Sequence, residues 1–394
     1  MKFYLTRLFR DFYASGKLSG ILLIICTVLT LVFVNVGFGE TYTNFFHSYS
    51  DLSFGPVVLK LSNEHWINDG LMTIFFLLVG LEIERELYKG ELSSVKNALL
   101  PVAAAFGGMM IPALFHMIFN WGTPTQAGFG IPMATDIAFS LGILSLLGNR
   151  VPASIKIFLT ALAIIDDLGA VAMIAVFYTS EFSLISFGIA MGIFAVLFIL
   201  GKKGVHSLWI YLPAGVLMWY FMLQSGVHAT ITGVLLAFAI PSHDDDRKNV
   251  SYHLQHFLHK PVNFIILPIF AIANTGIPLS PEAFRTLMTS NSLGISLGLI
   301  LGKPIGIVGA SYLLIKTKLG SLPDDINFKT ILGAGLLAGI GFTMSVFISN
   351  LAFSDAQTVT NSKMAILVAS LISGTAGFFF LKVVLSKPTP TNKN

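Results

Sequence analysis

The sequence predicts an all-α integral membrane protein of roughly twelve transmembrane helices, and three observations carry that prediction. The first is composition: of 394 residues, 54% are hydrophobic and 11% charged, with a mean hydropathy of +0.78, whereas a soluble domain carries about 25% charged residues. The second is a succession of apolar windows, each near the roughly 20 residues needed to cross a bilayer core of about 30 Å. The third is the uneven placement of the basic residues between the two sides of those windows. So little chain is left over that residues 1–394 read as a single transmembrane domain.

At the N-terminus, residues 1–13 interleave Phe3, Tyr4, Leu5, Leu8, Phe9 and Phe12 with Arg7, Arg10 and Asp11, the pattern of a short interfacial helix that anchors without chemistry. Basic residues before an apolar stretch imitate a signal peptide. The run 18–36 is too long for one and lacks a clear cleavage site, so it reads as the first membrane helix. Cys26, the single cysteine, lies in that run and reads as a small buried hydrophobe.

Windows bounded by Gly, Pro, Asn or charge fall near residues 14–36, 66–88, 98–119, 129–148, 153–178 and 182–200, then 205–223, 226–240, 256–275, 292–315, 330–352 and 361–384. Residues 37–65 make the longest outward loop. There 52–54 and 57–59 flank Gly55-Pro56, either as a hairpin through which two copies associate into a homodimer or as an irregular loop. Residues 386–394 form a polar tail.

Orientation follows from the basic residues, which are retained in cytoplasmic loops. Lys60, Arg285 and Lys363 fall on one side, Lys156 and Lys303 fall within spans, and the rest of the 24 Lys and Arg lie on the side of the N-terminus. An even number of spans then puts both termini in the cytoplasm. The net charge of +4 is scattered through short loops, so it reads as a topology signal rather than a nucleic-acid surface.

Ionisable groups at bilayer depth cost on the order of 2.5 to 3.5 kcal/mol on insertion scales, so each needs a reason. Asp166 and Asp167 lie mid-window in Ala161-Leu-Ala-Ile-Ile-Asp-Asp-Leu-Gly-Ala-Val171, Asp136 follows Thr135 in a window containing Pro132, and Lys303 stands in Gly302-Lys-Pro-Ile-Gly306. Neighbours on a helix point about 100° apart. One aspartate of the pair can therefore face a protein cation while the other faces an aqueous cavity. The bland alternative is that these charges only lock helices together. Against it, one lysine neutralises one acid and leaves another to take a proton or a metal ion. Desolvation and a like-charged neighbour favour the protonated form of such a carboxyl, and a nearby lysine favours the ionised one. Protons and a hard cation such as sodium then compete for the same oxygens, and Asp166, Asp167 and Thr135 could ligate it.

The fourth and eleventh windows carry helix breakers, Pro132 in one and Gly333, Gly335, Gly339 and Gly341 in the other. If windows three to five and ten to twelve are repeats, these are the middle helix of each, and matching interrupted segments point to a transporter site. Broken helices expose half-helix dipoles, which Asp136 and Lys303 would offset. Gly294, Gly298, Gly302 and Gly306, spaced by four, read as a close-packing face beside Lys303.

At these residues the chain resembles the NhaA family of bacterial Na+/H+ antiporters, over nearly its whole length. The resemblance rests on Trp66-Ile-Asn-Asp-Gly-Leu-Met72, Phe75-Phe-Leu-Leu-Val-Gly-Leu-Glu82, Ala134-Thr-Asp-Ile-Ala-Phe139, Ala163-Ile-Ile-Asp-Asp-Leu-Gly169, Ser225-Gly-Val-His-Ala-Thr230, Gly302-Lys-Pro304 and Gly339-Ile-Gly-Phe-Thr-Met-Ser345. It implies an inverted-repeat transporter with two interrupted, crossing helices. It also implies Asp166 and Asp167 as the ion-binding pair, Lys303 as the salt-bridge partner of Asp166, and Thr135 with Asp136 as the crossing segment. The implied activity is electrogenic exchange of sodium or lithium for protons across a bacterial inner membrane, with no cofactor and no enzyme chemistry.

The same resemblance implies a pH response at a cytoplasmic funnel involving Glu82, Arg85, Glu86, His256 and His259, with His228 elsewhere. The chain departs from the family pattern at Glu84, where lysine is frequent, and at Gln255, where glutamate is frequent. The set point is therefore not inherited. His253, His256 and His259 also offer metal-ligand types at a spacing of three, but histidines near pKa 6.5 serve a pH-sensitive surface without metal.

Three rival classes find less support. The Tyr-Asp and Gly-x-Gly-Asp contexts of an intramembrane aspartyl protease do not occur. A lysine buried beside the acids disfavours a passive cation channel, and no phosphate-binding G-x-x-x-x-G-K-[ST] loop supports a pump.

Overall fold

The computed structural model describes residues 7–55, 58–179, 182–242, 249–323 and 325–386. Residues 1–6 of the expected interfacial helix, Pro56 and Val57 at the expected hairpin tip, and the tail from 387 onward lie outside the described residues.

Among the described residues, eight helices are long and apolar enough to cross a membrane: Leu18–His47, Asn63–Tyr88, Asn97–Asn120, Ala153–Phe177, Leu184–Lys202, Val250–Asn274, Ser290–Lys316 and Ala356–Val384. Two further pairs qualify when each is taken as one span. Pro124–Met133 with Ile137–Leu146 bends by 42°, and Phe328–Ala338 with Phe342–Ala352 bends by 49°. The protein is thus a mostly helical, multi-pass membrane protein with eight to ten spans by length and composition. Both bends fall where Pro132 and the glycine cluster predicted interruptions.

The seventh and eighth windows behave differently. The first becomes Leu208–Leu223, 16 residues, and the second Ile231–Ala239, only 9 residues, both short of the roughly 20 that span a bilayer. Just before the shorter one the chain turns rather than winds: Gly226 has a φ of +78°, and the Ser225 hydroxyl accepts from the Val227 N–H.

The first span is longer than the sequence suggests. Helix continues from Arg7 through the expected boundary at residue 36 and on to His47, deflected at Gly37, whose φ of +110° is open to glycine and strained for other residues. Asn35 and Tyr42, on either side of that kink, hold the 272–279 segment. Asn35 donates to the Ile277 carbonyl (2.9 Å) and accepts from the Leu279 N–H, while the Tyr42 hydroxyl donates to the Ala273 carbonyl at 2.7 Å. Within 37–65 the paired strands lie outside the expected arms at 52–54 and 57–59. Tyr49–Asp51 pairs antiparallel with Lys60–Ser62, Tyr49 opposite Ser62.

The chain forms two compact units, one from Met1–Ile21, Glu91–Gly169 and Glu282–Asn394, the other from Leu22–Gly90 and Ala170–Pro281. In the first unit, Val95–Asn120 lies against Ser290–Lys316 with almost no side chain between them. A methyl at Gly306 would run into the Gly107 carbonyl, one at Gly302 into the Pro112 backbone, and one at Gly298 into the Pro132 ring. The glycines spaced by four are therefore the close-packing face expected of them, and membrane helices associate through such small residues. In the second unit, Gly80 and Gly233 bring Met72–Tyr88 and Ile231–Ala239 together in the same way.

Candidate functional site

The first unit contains the charged centre. Asp166 and Asp167 sit in the middle of Ala153–Phe177, and both are buried, as are Thr135, Asp136 and Lys303. Lys303 follows a π-helical turn, Gly298–Gly302, and precedes Pro304. Such local irregularities recur at functional sites because they re-aim the side chains that follow.

The Lys303 ammonium contacts Asp166 Oδ2 at 2.5 Å, and the Thr135 hydroxyl reaches the same oxygen at 2.7 Å. Asp166 Oδ1 has no hydrogen-bond partner among the described residues. Asp167, one residue on, interacts electrostatically with Lys303. Thr135 Oγ1 also lies 3.0 Å from the Ala338 carbonyl, yet a hydroxyl has one proton to donate. It can serve the carboxylate or the helix-end carbonyl, and whichever it leaves has a lone pair available for a cation.

Thr135 and Asp136 occupy the break between Pro124–Met133 and Ile137–Leu146, while Gly339, Ile340 and Gly341 occupy the break between Phe328–Ala338 and Phe342–Ala352. Breaking a helix in a bilayer exposes N–H and C=O groups that water cannot reach, so each requires a partner. Asp136 meets several of these needs at once. Its Oδ1 accepts from the Phe139 N–H (2.9 Å), its Oδ2 accepts from the Thr343 N–H (3.0 Å) and hydroxyl, and its own N–H donates to the Ile340 carbonyl at 2.7 Å. One carboxylate therefore caps the N-termini of two half-helices, where negative charge is favoured.

The Ser370 hydroxyl accepts from the Phe342 N–H at 3.2 Å. The carboxylate of Asp136 is engaged at the breaks, whereas the direct partners of Asp166 are Lys303 and Thr135. Lys303, expected to offset the second dipole, has its ion pair with Asp166. Sequence reasoning missed Thr343, Ser370, Ser140 and Ser345 as partners. Thr343 and Ser345 lie within the Gly339–Ser345 motif, but a lone hydroxyl in an apolar window carries no sign of what it bonds.

The residues expected at the funnel lie in the second unit. Glu82 Oε1 is 3.2 Å from His259 Nε2, and the Arg85 guanidinium donates to Glu86 Oε1 at 2.9 Å. Glu84 is buried and accepts from the Ser251 hydroxyl at 2.8 Å. Gln255 is buried too, its amide nitrogen without a partner among the described residues. His256 lies parallel to the Tyr252 ring. His228 stands apart from this group, its Nε2 2.8 Å from the Tyr178 carbonyl oxygen. Among the described residues no three His, Cys, Asp or Glu side chains could hold a metal ion, so the histidines spaced by three do not form a zinc site there.

A multi-pass bundle with paired broken helices and a fully buried acid–base centre defines a membrane transporter. The family described as Na+/H+ antiporter 1 matches residues 10–381. The chain is 55% identical over 390 residues to the Na(+)/H(+) antiporter NhaA of Flavobacterium psychrophilum, covering 99% of this chain and 100% of the relative. It is 57% identical to that of Dechloromonas aromatica, over 96% of each. The solved structure of the sodium proton antiporter MjNhaP1 from Methanocaldococcus jannaschii shares the fold, with a TM-score of 0.53 at 17% identity over 97% of this chain and 99% of that one. The chain belongs to the Na+/H+ antiporter 1 family, and its function is sodium/proton exchange rather than enzymatic catalysis.

Proposed function

We propose that the ion carried by this antiporter binds at Asp166 and Asp167, with Thr135 as a neutral ligand and Lys303 as the counter-charge of Asp166. The observation that carries the reading is the buried acid–base centre: two neighbouring carboxyls, of which Asp166 meets both the Lys303 ammonium and the Thr135 hydroxyl that also faces a helix-end carbonyl. Two acids and one base leave a single negative charge. Sodium bound at these carboxylates displaces the protons that Asp166, Asp167 and Lys303 hold between them, more than one for each cation, so binding one excludes the other. Lithium, smaller but equally hard, competes for the same oxygens. Asp136 and the half-helix ends keep the surrounding backbone satisfied when the site is empty or full.

Exchange then proceeds by alternating access, with the loaded site biasing an inward-facing or outward-facing form, and it is electrogenic because more protons enter than sodium ions leave. Twelve spans, with the two bent pairs as crossing middle helices of inverted repeats, put both termini in the cytoplasm and the protein in the bacterial inner membrane. Glu82, Glu84, Arg85, Glu86, Gln255, His256 and His259, with His228, set the pH response. The Tyr49–Asp51 hairpin joins two copies into a homodimer. Everted vesicles carrying Asp167→Asn are expected to lose sodium-induced proton release. Retained exchange would remove Asp167 from the mechanism.

A further inference from the structure

The two breaks are tied to each other by a reciprocal pair of serine hydrogen bonds. Ser140 is the fourth residue of Ile137–Leu146, and Ser345 is the fourth residue of Phe342–Ala352. The Ser140 hydroxyl donates across to the Leu337 carbonyl at 2.9 Å, in the last turn of the other broken helix's first half. The Ser345 hydroxyl donates back to the Ile131 carbonyl at 2.7 Å, in the last turn of Pro124–Met133. Both serines are fully buried.

A serine one turn into a helix ordinarily bonds its own preceding turn. Here the backbone N–H groups of Ser140 and Ser345 already take the Asp136 and Gly341 carbonyls, at 2.9 and 2.8 Å. The hydroxyls instead reach across to the other broken helix. From these contacts we infer that Ser140 and Ser345 are a matched pair of positioning residues that hold the two breaks in register, and thereby hold Thr135 against Asp166.

The linkage runs through nearby residues of the two breaks. Leu337, held by Ser140, precedes Ala338, whose carbonyl is the second acceptor of Thr135; Ile131, held by Ser345, lies in the helix turn that leads into the break at Thr135. Releasing either strap lets one helix end drift, and the distance from Thr135 to Asp166 and Ala338 goes with it. Because both straps fix the same spacing, losing one already forfeits what the pair provides. Ser311 is a suitable control. It is equally buried, but its hydroxyl bonds the Ile307 carbonyl within its own helix.

The inference rests on ion binding at Asp166 and Asp167, and its test is separable from that reading, which stands or falls on Asp167→Asn. Sodium- and lithium-driven exchange is measured in everted vesicles at matched amounts of protein. S140A and S345A are each expected to raise the apparent KM for both cations roughly tenfold, the scale on which partners of metal ligands act. S140T and S345T should recover it, S311A should leave it unchanged, and the double alanine variant should be no worse than the weaker single one. Where an alanine variant does not reach the membrane, the cysteine variant, which keeps a weaker donor, should show a smaller rise. An unchanged KM in either serine variant overturns the inference, as does a double variant whose effects multiply.

Discussion

Replacing Lys303 with methionine isolates the energetics of the buried centre. Lys303 is completely buried and its ammonium pairs with Asp166. Removing one partner of such a pair leaves an uncompensated charge and costs about 3–5 kcal/mol, whereas removing both is often neutral or better. Thr135 alone remains on Asp166 Oδ2, and a hydrogen bond to a charged group contributes only about 1.5–3 kcal/mol.

Lys303→Met should therefore unfold well below the parent protein. At roughly 2–4 °C per kcal/mol for a 150–250-residue domain, and less for a larger chain, the drop should be on the order of 5–10 °C. Lys303→Met combined with Asp166→Asn should recover most of it. Thermal unfolding of purified protein in detergent, followed by tryptophan fluorescence, gives all three values. A drop in the single variant no larger than that of exposed Lys329→Met, or no recovery in the double variant, would refute the argument that the pair is held by mutual neutralisation.

Other substitutions test other parts of the molecule. Glu84→Lys loses the bond from Ser251 and reverses a buried charge, so the pH profile of exchange should shift with little change in maximal rate; an unshifted profile in vesicles defeats a regulatory role for Glu84. Gly302→Val puts a branched Cβ 2.9 Å from Pro112 Cα, while a Cβ at Gly309 meets nothing within 4 Å. The first should lose about 1–3 kcal/mol and Gly309→Ala almost none, as read by thermal unfolding.

Asp355 caps Ala356–Val384, and its bonds from the Thr358 hydroxyl and N–H hold its carboxyl below the usual carboxylate range. A depressed folded value stabilises above the unfolded pKa of about 3.9 and ceases to do so as pH falls through the folded value. The Tm gap between the parent protein and Asp355→Ala should therefore be constant near neutrality and close in acid.

Much of the fold was legible because hydropathy is a local property. Ten windows appear as eight continuous helices and two bent pairs, and the breaks sit just after Pro132 and at the Gly339–Gly341 run, where residues of weak helix preference stand, although Pro112 and Gly302 stand inside unbroken spans. Boundaries were legible only where polarity changed with conformation. The first helix overran its window to His47 because tertiary bonds from Asn35 and Tyr42 hold a polar stretch helical. The window at 226–240 yielded nine helical residues because an apolar stretch need not wind if its backbone turns and finds other partners. In the same way, the acids and the lysine were conspicuous as charges in oil, and the family resemblance implied that Lys303 pairs with Asp166, but the partners of Asp136 were not legible.

By itself, then, the sequence determined that this chain lives in a bilayer, where its helices break, and which few ionisable side chains must answer for being buried. Each of these follows from the transfer free energy or backbone preference of residues close together in the chain. Only the tertiary structure decided that Asp166 shares one oxygen between Lys303 and Thr135 and that Asp136 caps two half-helices. It also decided that Ser140 and Ser345 tie the breaks together. Asp136 and Thr343 are 207 residues apart in sequence, and no local periodicity encodes a bond over that distance. It forms because closing the bundle leaves each exposed N–H and C=O with no water to turn to.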